Sequence, residues 1–167
     1  MKALITGASS GIGRDMAEIL SAKGYDLILV ARRVDRLEQV KKKLKTNVKI
    51  VAADLSDRTA CINLYEQVKD ENIDVLINNA GLGVFGAFDT SDLQKELAMI
   101  DTNITAVHIL TKLFLKDFKA RNSGYILNVA SSAAFQPGPL LASYYASKAY
   151  VLRLTEAIYE ELRRAGS

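Results

Sequence analysis

Apolar residues along this chain recur in two alternating patterns. Short runs rich in Val, Ile and Leu are typical of strands that are buried on both faces. Such runs occupy Lys2–Thr6, Asp26–Ala31, Val48–Ala53, Ile73–Ile77 and Tyr125–Val129. Apolar residues at helical spacing lie between and after them, in Ile12–Lys23, Val34–Lys45, Thr59–Lys69, Ser91–Ala120 and Ala142–Arg164. This alternation predicts right-handed βαβ units, and therefore a doubly wound α/β fold with a parallel sheet between two layers of helices.

The composition indicates one globular domain over residues 1–167. The chain is 49% hydrophobic and 25% charged, with a net charge of +3. Its basic residues are mixed with acidic ones except in Lys41–Lys45, which we interpret as a solvated helix end rather than a nucleic-acid patch. A single cysteine excludes an internal disulfide, no signal-peptide pattern follows Met1, and no apolar run reaches the roughly 18 residues of a membrane span. We therefore expect a cytoplasmic protein that binds neither nucleic acid nor membranes.

Three glycines, Gly7, Gly11 and Gly13, directly follow the first predicted strand. Glycine costs about 0.5–1 kcal/mol relative to alanine inside regular structure, so the cluster indicates a tight turn or a ligand pressed against the backbone. Between a parallel strand and a helix, exposed N–H groups favour an anion such as a pyrophosphate. The spacing Gly-x-x-x-Gly-x-Gly differs from the commonest dinucleotide fingerprint and is not a P-loop. Taken alone, these glycines leave a turn without a ligand equally open.

Polar residues also follow the later predicted strands. Asp54 follows the third strand, the stretch Asn78–Gly81 closes the fourth, and Ser131 follows the fifth. Tyr144 and Lys148 stand four residues apart at the start of the last helix. Because ligands of such sheets bind outside the carboxyl ends of the strands, these residues predict a single site.

Three motifs in this set, Thr-Gly-x-x-x-Gly-x-Gly, Asn-Asn-Ala-Gly and Tyr-x-x-x-Lys, occur in the order typical of one family. The chain resembles the classical short-chain dehydrogenase/reductases over Met1–Arg164. The resemblance implies a Rossmann-like sheet of strand order 3-2-1-4-5. It also implies an oxidoreductase that interconverts a carbonyl compound and a primary or secondary alcohol by hydride transfer to or from NADP(H).

One departure from the family keeps a second class of function open. Members commonly continue through two more strands and a mobile segment that covers the substrate, whereas this sequence stops at Ser167. We expect an NADP-preferring, bacterial-type member that lacks this C-terminal part. The alternative is a non-catalytic dinucleotide-binding module or an inactive truncated enzyme. Aromatic and apolar residues near the predicted site suggest an apolar carbonyl substrate, namely Phe85, Phe88, Phe135, Pro137 and Leu141.

The spacing of Tyr144 and Lys148 suits acid/base chemistry. A free tyrosine has a pKa near 10, so a phenolate at neutral pH needs stabilisation on the order of 4 kcal/mol. A cation about 4 Å away at an effective dielectric of 20 supplies roughly that energy. Lys148 lies one helical turn from Tyr144, whereas Tyr145 has Ala149 at the corresponding position. We therefore predict Tyr144 as the acid/base.

The resemblance implies further roles around this pair. Lys148 would also bind the nicotinamide ribose, and Ser131 would anchor the substrate oxygen, with Ser132 as the alternative. Asn103 would bend the long helix and support a water molecule that leads to Lys148, although a solvent-facing helical residue is the simpler interpretation of an asparagine there. The predicted catalytic residues are thus Asn103, Ser131, Tyr144 and Lys148, with no metal. The lone histidine, His108, is interpreted as a helix-surface or interface residue.

The cofactor preference follows from residues after the second strand. An NAD-dependent enzyme would place a carboxylate there, but this chain has Arg32 and Arg33, which can hold a phosphate. NADP(H) is therefore predicted and NAD is less favoured, although Ser10 stands where some NADPH-preferring relatives carry a basic residue. Asp54 would accept from the adenine amino group or act as a helix N-terminal carboxylate. The predicted cofactor-binding residues are Gly7, Ser9, Ser10, Gly11, Ile12, Gly13, Arg32, Arg33, Asp54, Leu55, Asn79, Ala80, Gly81, Tyr144 and Lys148.

The longest predicted helix carries more apolar residues than one contact with the sheet needs. One stripe toward the sheet consists of Leu97, Ile100, Ile104, Val107, Thr111, Phe114 and Phe118. Adjoining faces carry Met99, Ala106, Leu110 and Leu113. Core burial within one chain and helix–helix assembly both explain the excess, and the resemblance implies a homo-oligomer through the last two long helices. The predicted edge strand Tyr125–Val129, uncharged and free of proline, is a second candidate surface for association.

Overall fold

The parallel sheet predicted from the sequence forms the centre of the molecule in a computed structural model, which describes residues 1–165. Its strands run in the order β3-β2-β1-β4-β5, and each neighbouring pair is parallel. The doubly wound α/β class and the strand order are therefore confirmed. The strands are β1 (Lys2–Thr6), β2 (Asp26–Ala31), β3 (Val48–Ala52), β4 (Val75–Asn78) and β5 (Tyr125–Asn128).

Helices cover both faces of the sheet, since alternate residues of one strand enter two different cores. Leu4 of β1 packs into a core that includes Leu64 and Phe114, whereas its neighbours Ala3 and Ile5 pack into a core with Ala17 and Leu37. This alternation follows from the period of two in a strand. The helices are α1 (Gly11–Ala22), α2 (Val34–Lys41), α3 (Arg58–Val68), α4 (Leu93–Ile100), α5 (Ala106–Ala120) and α6 (Ala142–Ala165).

The long helix predicted over Ser91–Ala120 is interrupted. A π-helical segment, Asp101–Thr105, separates α4 from α5 and inserts extra backbone into the helical ladder. The insertion rotates the buried face, so Met99 is fully buried while Leu97, predicted to face the sheet, is 44% exposed. The single apolar stripe predicted along this helix is therefore wrong on its N-terminal side.

Other element bounds differ from the prediction by a few residues at their ends. Helix α2 ends at Lys41 rather than Lys45, and β4 begins at Val75 rather than Ile73. Strand β5 lies at the sheet edge, as predicted, but the prediction that it is buried on both faces is wrong. Tyr125 and Leu127 are 68% and 46% exposed, whereas Ile126 between them packs against the core, so one face of β5 is uncovered among residues 1–165. None of the helices in this range is both long and apolar enough to cross a membrane.

Candidate active site

The glycine-rich turn after β1 packs directly against the turn after β4. Gly7 and Gly11 have φ angles of +66° and +54°, which favour glycine because the left-handed region is costly for other residues. A Cβ on Gly13 would overlap the carbonyl oxygen of Gly7 and the side chain of Asn79. A Cβ on Gly11 would have no neighbour within 4 Å. The turn is therefore closed on the protein side and open at Gly11, the geometry that a phosphate-binding loop requires.

Hydrogen bonds from Thr6 join these two turns. Its Oγ1 accepts from the N–H groups of Asn79 and Ala80, both at 3.0 Å. The Asn79 amide in turn donates to the carbonyl oxygens of Thr6 and Gly7, at 3.1 and 3.3 Å. Thr6 was not among the predicted site residues, because its partners lie more than 70 positions away in the sequence.

A cleft at the carboxyl ends of β1–β4 contains most of the predicted cofactor-binding residues. We call it the glycine-loop cleft, and its lining is Gly7, Ser9, Ser10, Ala31, Arg32, Arg33, Ala53, Asp54, Leu55, Asn79, Ala80, Gly81, Leu82 and Thr102. Of the predicted set, Ile12, Tyr144 and Lys148 lie outside this cleft, as does Gly13, which packs beneath the loop. Gly11 is in neither cleft lining, although it belongs to the same turn.

Asp54 is an exposed, ionised carboxylate in the lining of the glycine-loop cleft. Burial acts to raise its pKa, but two hydrogen bonds from Ser56 and the positive charge of Arg32 outweigh burial, so the pKa of Asp54 is lowered. The N-cap of α3 is Asp57, whose carboxylate accepts from the Thr59 N–H at 2.7 Å. The alternative role of Asp54 as the carboxylate at the helix N-terminus is therefore taken by Asp57.

A second cleft lies beside the first and contains Ser131, Tyr144 and Lys148. We call it the tyrosine cleft, and its lining is Ile12, Asn79, Gly81, Leu82, Gly83, Val129, Ala130, Ser131, Leu141, Tyr144 and Lys148. Asn79, Gly81 and Leu82 line both clefts. A ligand that extends from one cleft to the other would therefore pass over these shared residues.

Lys148 is nearly buried at the base of the tyrosine cleft. Its exposure is 6%, and its Nζ donates to the carbonyl oxygen of Val129 at 2.9 Å. Burial lowers the pKa of Lys148, because desolvation penalises the ammonium form. The same Nζ lies 5.9 Å from the centroid of the Tyr144 ring. The predicted cation is thus held beside the predicted acid/base by a backbone carbonyl at the end of β5.

Asn103 lies in the π-helical segment and faces inward. Its Oδ1 accepts from the Leu82 N–H at 2.8 Å, and its Nδ2 donates to the Leu82 carbonyl at 2.9 Å and to Ser147 Oγ at 3.0 Å. Asn103 is 1% exposed, so its interpretation as a solvent-facing helical residue is wrong. A Cβ on Gly81 would stand 3.5 Å from Asn103 Oδ1 and 3.6 Å from Lys148 Nζ, which places both groups at Gly81. Ser147, buried next to Lys148, was not predicted.

The geometry distinguishes between the two serines and the two tyrosines. Ser131 lines the tyrosine cleft and caps the short 3₁₀ turn Ser132–Phe135, its Oγ accepting from Ala133 N–H at 3.1 Å. Ser132 is exposed and absent from the lining. The Tyr145 ring covers the backbone of Gly138, where a Cβ would overlap it.

Two further predictions concern groups outside these clefts. Among residues 1–165, no cluster of three His, Cys, Asp or Glu side chains could hold a metal ion. His108 lies at the surface, where its Nδ1 is 2.7 Å from the hydroxyl of Tyr150 and so joins α5 to α6.

Comparison with known proteins defines the class to which this site belongs. A family model described as "short chain dehydrogenase" matches residues 1–166, and the chain belongs to this family. It is 33% identical to an uncharacterized oxidoreductase of Staphylococcus epidermidis, over 98% of this chain and 72% of the relative. It is 34% identical to 17-beta-hydroxysteroid dehydrogenase type 3 of Mus musculus, over 98% of this chain and 56% of that enzyme.

Solved structures agree with this assignment. A metagenomic short-chain oxidoreductase in complex with NADP matches with a TM-score of 0.92 and 34% identity, over 98% of this chain and 76% of that one. A bulky-bulky ketone specific alcohol dehydrogenase from Comamonas testosteroni matches with a TM-score of 0.91 and 33% identity, over 98% and 68%. The chain is therefore an oxidoreductase of the short-chain dehydrogenase type.

Proposed function

We propose that this protein reduces an apolar ketone or aldehyde to an alcohol with NADPH, and that Tyr144 is the acid/base. The observation that carries the proposal is the position of Ser131, Tyr144 and the buried Lys148 in one cleft, which shares Asn79 and Gly81 with the glycine-loop cleft. The residues fit a dinucleotide, because the turn is open at Gly11 and two arginines line the opposite end. The nicotinamide, when bound, supplies or accepts the hydride.

The proton step belongs to the side chains of the tyrosine cleft. The Tyr144 hydroxyl donates its proton to the oxygen of the substrate carbonyl during reduction and takes it back in the reverse direction. The Lys148 ammonium stabilises the resulting phenolate by its charge, which acts strongly because the group is shielded from water. The Ser131 hydroxyl donates a hydrogen bond to the same substrate oxygen and so holds it within reach of Tyr144.

Asn103 holds the backbone around Tyr144 and Lys148 in place through hydrogen bonds. Its two bonds to the Leu82 backbone fix the loop after β4, and its bond to Ser147 reaches the residue before Lys148. In the proposed mechanism this amide holds the π-helical segment, α6 and the cleft floor together. After a reduction, a water molecule placed between it and Lys148 would relay a proton from solvent, by way of Lys148, to the Tyr144 phenolate.

The preference for NADPH rests on Arg32 and Arg33, which line the glycine-loop cleft. Charge-assisted contacts to a 2′-phosphate contribute about 1.5–3 kcal/mol each before exposure reduces them. We therefore expect NADPH to bind tenfold to a few hundredfold more tightly than NADH, on the order of 1.4–3.5 kcal/mol. Fluorescence titration of both cofactors tests this, and Arg32→Ala should reduce the preference. Equal affinities in the wild type would overturn it.

The substrate is proposed to be apolar near its carbonyl group. Leu82 and Leu141 line the tyrosine cleft beside Tyr144, and no carboxylate, arginine or histidine belongs to that lining. The relatives named above for ketones and steroids act on compounds of this kind, which supports the proposal. A panel of acetophenone, cyclohexanone and benzaldehyde, followed by loss of NADPH absorbance, is the first screen.

This screen also separates the proposal from the second class of function. A non-catalytic dinucleotide-binding module would bind NADPH in the titration yet reduce no member of the panel and oxidise none of the corresponding alcohols. An enzyme would bind NADPH and also reduce at least one member of the panel. Absence of NADPH binding together with absence of turnover would contradict both functions at once.

The state of assembly and the cellular location belong to the same proposal. We propose a cytoplasmic homo-oligomer that associates through α5 and α6 or through the β5 edge. Supporting this, Tyr125 on β5 and Tyr159 on α6 are 68% and 63% exposed. Size-exclusion chromatography with light scattering should give a mass above that of one chain, and a stable monomer would contradict it.

A further inference from the structure

A partly buried polar network joins four elements, and Asn128 of β5 is its centre. Asn78 and Thr111 are buried, whereas Asn128 and Thr155 are half-buried. Asn128 Oδ1 accepts from Asn78 Nδ2 at 2.8 Å and from Thr111 Oγ1 at 3.3 Å. Asn128 Nδ2 donates to Thr155 Oγ1 at 3.0 Å. The network therefore connects β4, α5 and α6 through one amide at the end of the edge strand.

The direction of each bond is fixed by what the groups can donate. The Thr155 hydroxyl donates its proton to the carbonyl oxygen of Val151 at 2.7 Å, so it can only accept from Asn128. The Asn78 amide also donates to Thr111 Oγ1 at 3.1 Å, which gives that side of the network a second connection. Asn128 thus has two donors on its oxygen and a single acceptor on its nitrogen. Within residues 1–165, Thr155 is the one hydrogen-bonded link between this network and α6.

Lys148 is connected to this link through the end of β5 and through α6. Asn128 immediately precedes Val129, whose carbonyl accepts from Lys148 Nζ at 2.9 Å and whose N–H donates to the Asn78 carbonyl at 3.0 Å. On α6, Thr155 follows Lys148 by seven residues, which is about two helical turns or about 10 Å along the same face. Two polar contacts therefore connect α6 to consecutive residues at the β5 end, in addition to its contacts with Asn103 and His108, and only one of the two uses Lys148.

We propose that Asn128 is a positioning residue. Through its hydrogen bond to Thr155, it fixes the position of α6 relative to the end of β5 and thereby the positions of Lys148 and Tyr144 in the cleft. The proposal rests on the roles assigned to Tyr144 and Lys148 in the proposed function. It goes beyond them because Asn128 and Thr155 lie outside the lining of the tyrosine cleft and do not face the substrate. A shift of α6 would move the ammonium and the phenol together, and displacements near 1 Å are enough to cost about 100-fold in rate.

The test compares two threonines of the same network. Thr155→Val removes the acceptor of Asn128 Nδ2 found in the described part of the chain, whereas Thr111→Val leaves both Asn78 and Asn128 with another partner. We expect kcat for acetophenone, or for whichever panel member the wild type reduces, to fall about tenfold or more in Thr155→Val, with KM for NADPH within about twofold. The kcat of Thr111→Val should stay within about twofold of the wild-type value. The kcat of Thr155→Ser, which keeps the hydroxyl, should also be close to the wild-type value.

A second measurement needs no substrate. Protein labelled with ¹³C-lysine is titrated by NMR, and the Lys148 signal is assigned by its loss in Lys148→Met. In the wild type this signal should titrate below those of the exposed lysines, because burial lowers the pKa of Lys148. Thr155→Val should move the midpoint toward those of the other lysines as water reaches the loosened helix, and Thr111→Val should leave it in place.

The outcomes separate the inference from the proposed function. If the wild type reduces no member of the panel, the proposed function fails, and the lysine titration alone decides the positioning role. Equal effects of Thr155→Val and Thr111→Val on kcat and on the Lys148 midpoint would overturn the inference, as would failure of Thr155→Ser to restore activity. Should Thr155→Val not fold, Thr155→Ala removes the same acceptor with a smaller side chain and carries both measurements.

Discussion

The two clefts at the strand ends differ in the kinds of groups that form them. The glycine-loop cleft consists of backbone at close approach and of exposed charge, as in Gly7 packed on Ala80 and in the exposed side chains of Arg32 and Arg33. The tyrosine cleft rests on buried side chains, with Asn103 at 1%, Ser147 at 0% and Lys148 at 6% exposure. One cleft can therefore change its charge at little structural cost, whereas the other ties its chemistry to the packing of α5 and α6.

The largest expected effect tests the chemistry of the tyrosine cleft. Tyr144→Phe removes the proton donor but keeps the ring, so we expect carbonyl reduction to fall about a thousandfold while the NADPH affinity stays within a few-fold. Tyr145→Phe is the matched control, because the Tyr145 ring covers Gly138 and its hydroxyl has no role in the proposal. Steady-state kinetics and cofactor titration of both variants check this. A Tyr144→Phe protein as active as the wild type would remove Tyr144 from the mechanism.

The next effect tests the close backbone approach in the glycine-loop cleft. Gly13→Ala places a methyl group against the Gly7 carbonyl and the Asn79 amide, so the turn must shift. We expect a loss of about 1–3 kcal/mol in the free energy of unfolding and weaker NADPH binding. Gly83→Ala is the control, since its Cβ would lie at an ordinary 3.8 Å from Tyr144. Urea unfolding and NADPH titration should separate the two variants, and equal behaviour would argue against a tightly closed turn.

Sequence patterns predicted the residues at the strand ends better than the contacts between distant segments, because such patterns are local. The glycine turn, Arg32 and Asp54 lie at strand ends that periodicity identifies, so the strand order alone brings them together. The bonds of Thr6 to Asn79 and of Asn103 to Ser147 span 73 and 44 residues, and no local pattern predicts such pairs. The π-helical segment was missed because one change in helical phase looks, in sequence, like a second apolar face.

A third prediction contrasts a buried amide with an exposed charge. Asn103→Ala removes the partner of the Leu82 N–H and carbonyl, and the Ser147 hydroxyl keeps only its bond to the Tyr144 carbonyl. Polar groups that lose their partner inside the protein cost about 1–3 kcal/mol each. Arg33→Ala removes an exposed side chain and should change the free energy of unfolding by less than about 0.5 kcal/mol. Denaturant unfolding of both variants measures this. Similar losses in the two would contradict the distinction between the clefts.

The smallest effect concerns acid stability at the opposite end of the sheet. Glu71 accepts from Lys2 at 2.8 Å and from Lys49 at 2.6 Å, and these bonds lower the pKa of Glu71 to about 2. Because the folded pKa lies below the ordinary value of 4.5, the stabilisation is complete above that pH and is lost as the pH falls from 4.5 toward 2. Glu71→Gln should flatten this part of the stability curve without altering NADPH binding. If the free energy of unfolding of the variant falls with pH in the same way as that of the wild type, other carboxylates account for the loss of stability in acid.

The central claim is that Tyr144 and its neighbours supply the proton to a substrate carbonyl that would receive its hydride from NADPH. The most direct measurement uses NADPH deuterated at the nicotinamide carbon that transfers hydride, together with acetophenone or another reduced panel member, and analyses the alcohol by mass spectrometry. We expect one deuterium at the carbinol carbon with the wild type and almost no product with Tyr144→Phe. Alcohol without deuterium, or deuterated alcohol formed equally well by Tyr144→Phe, would contradict the account.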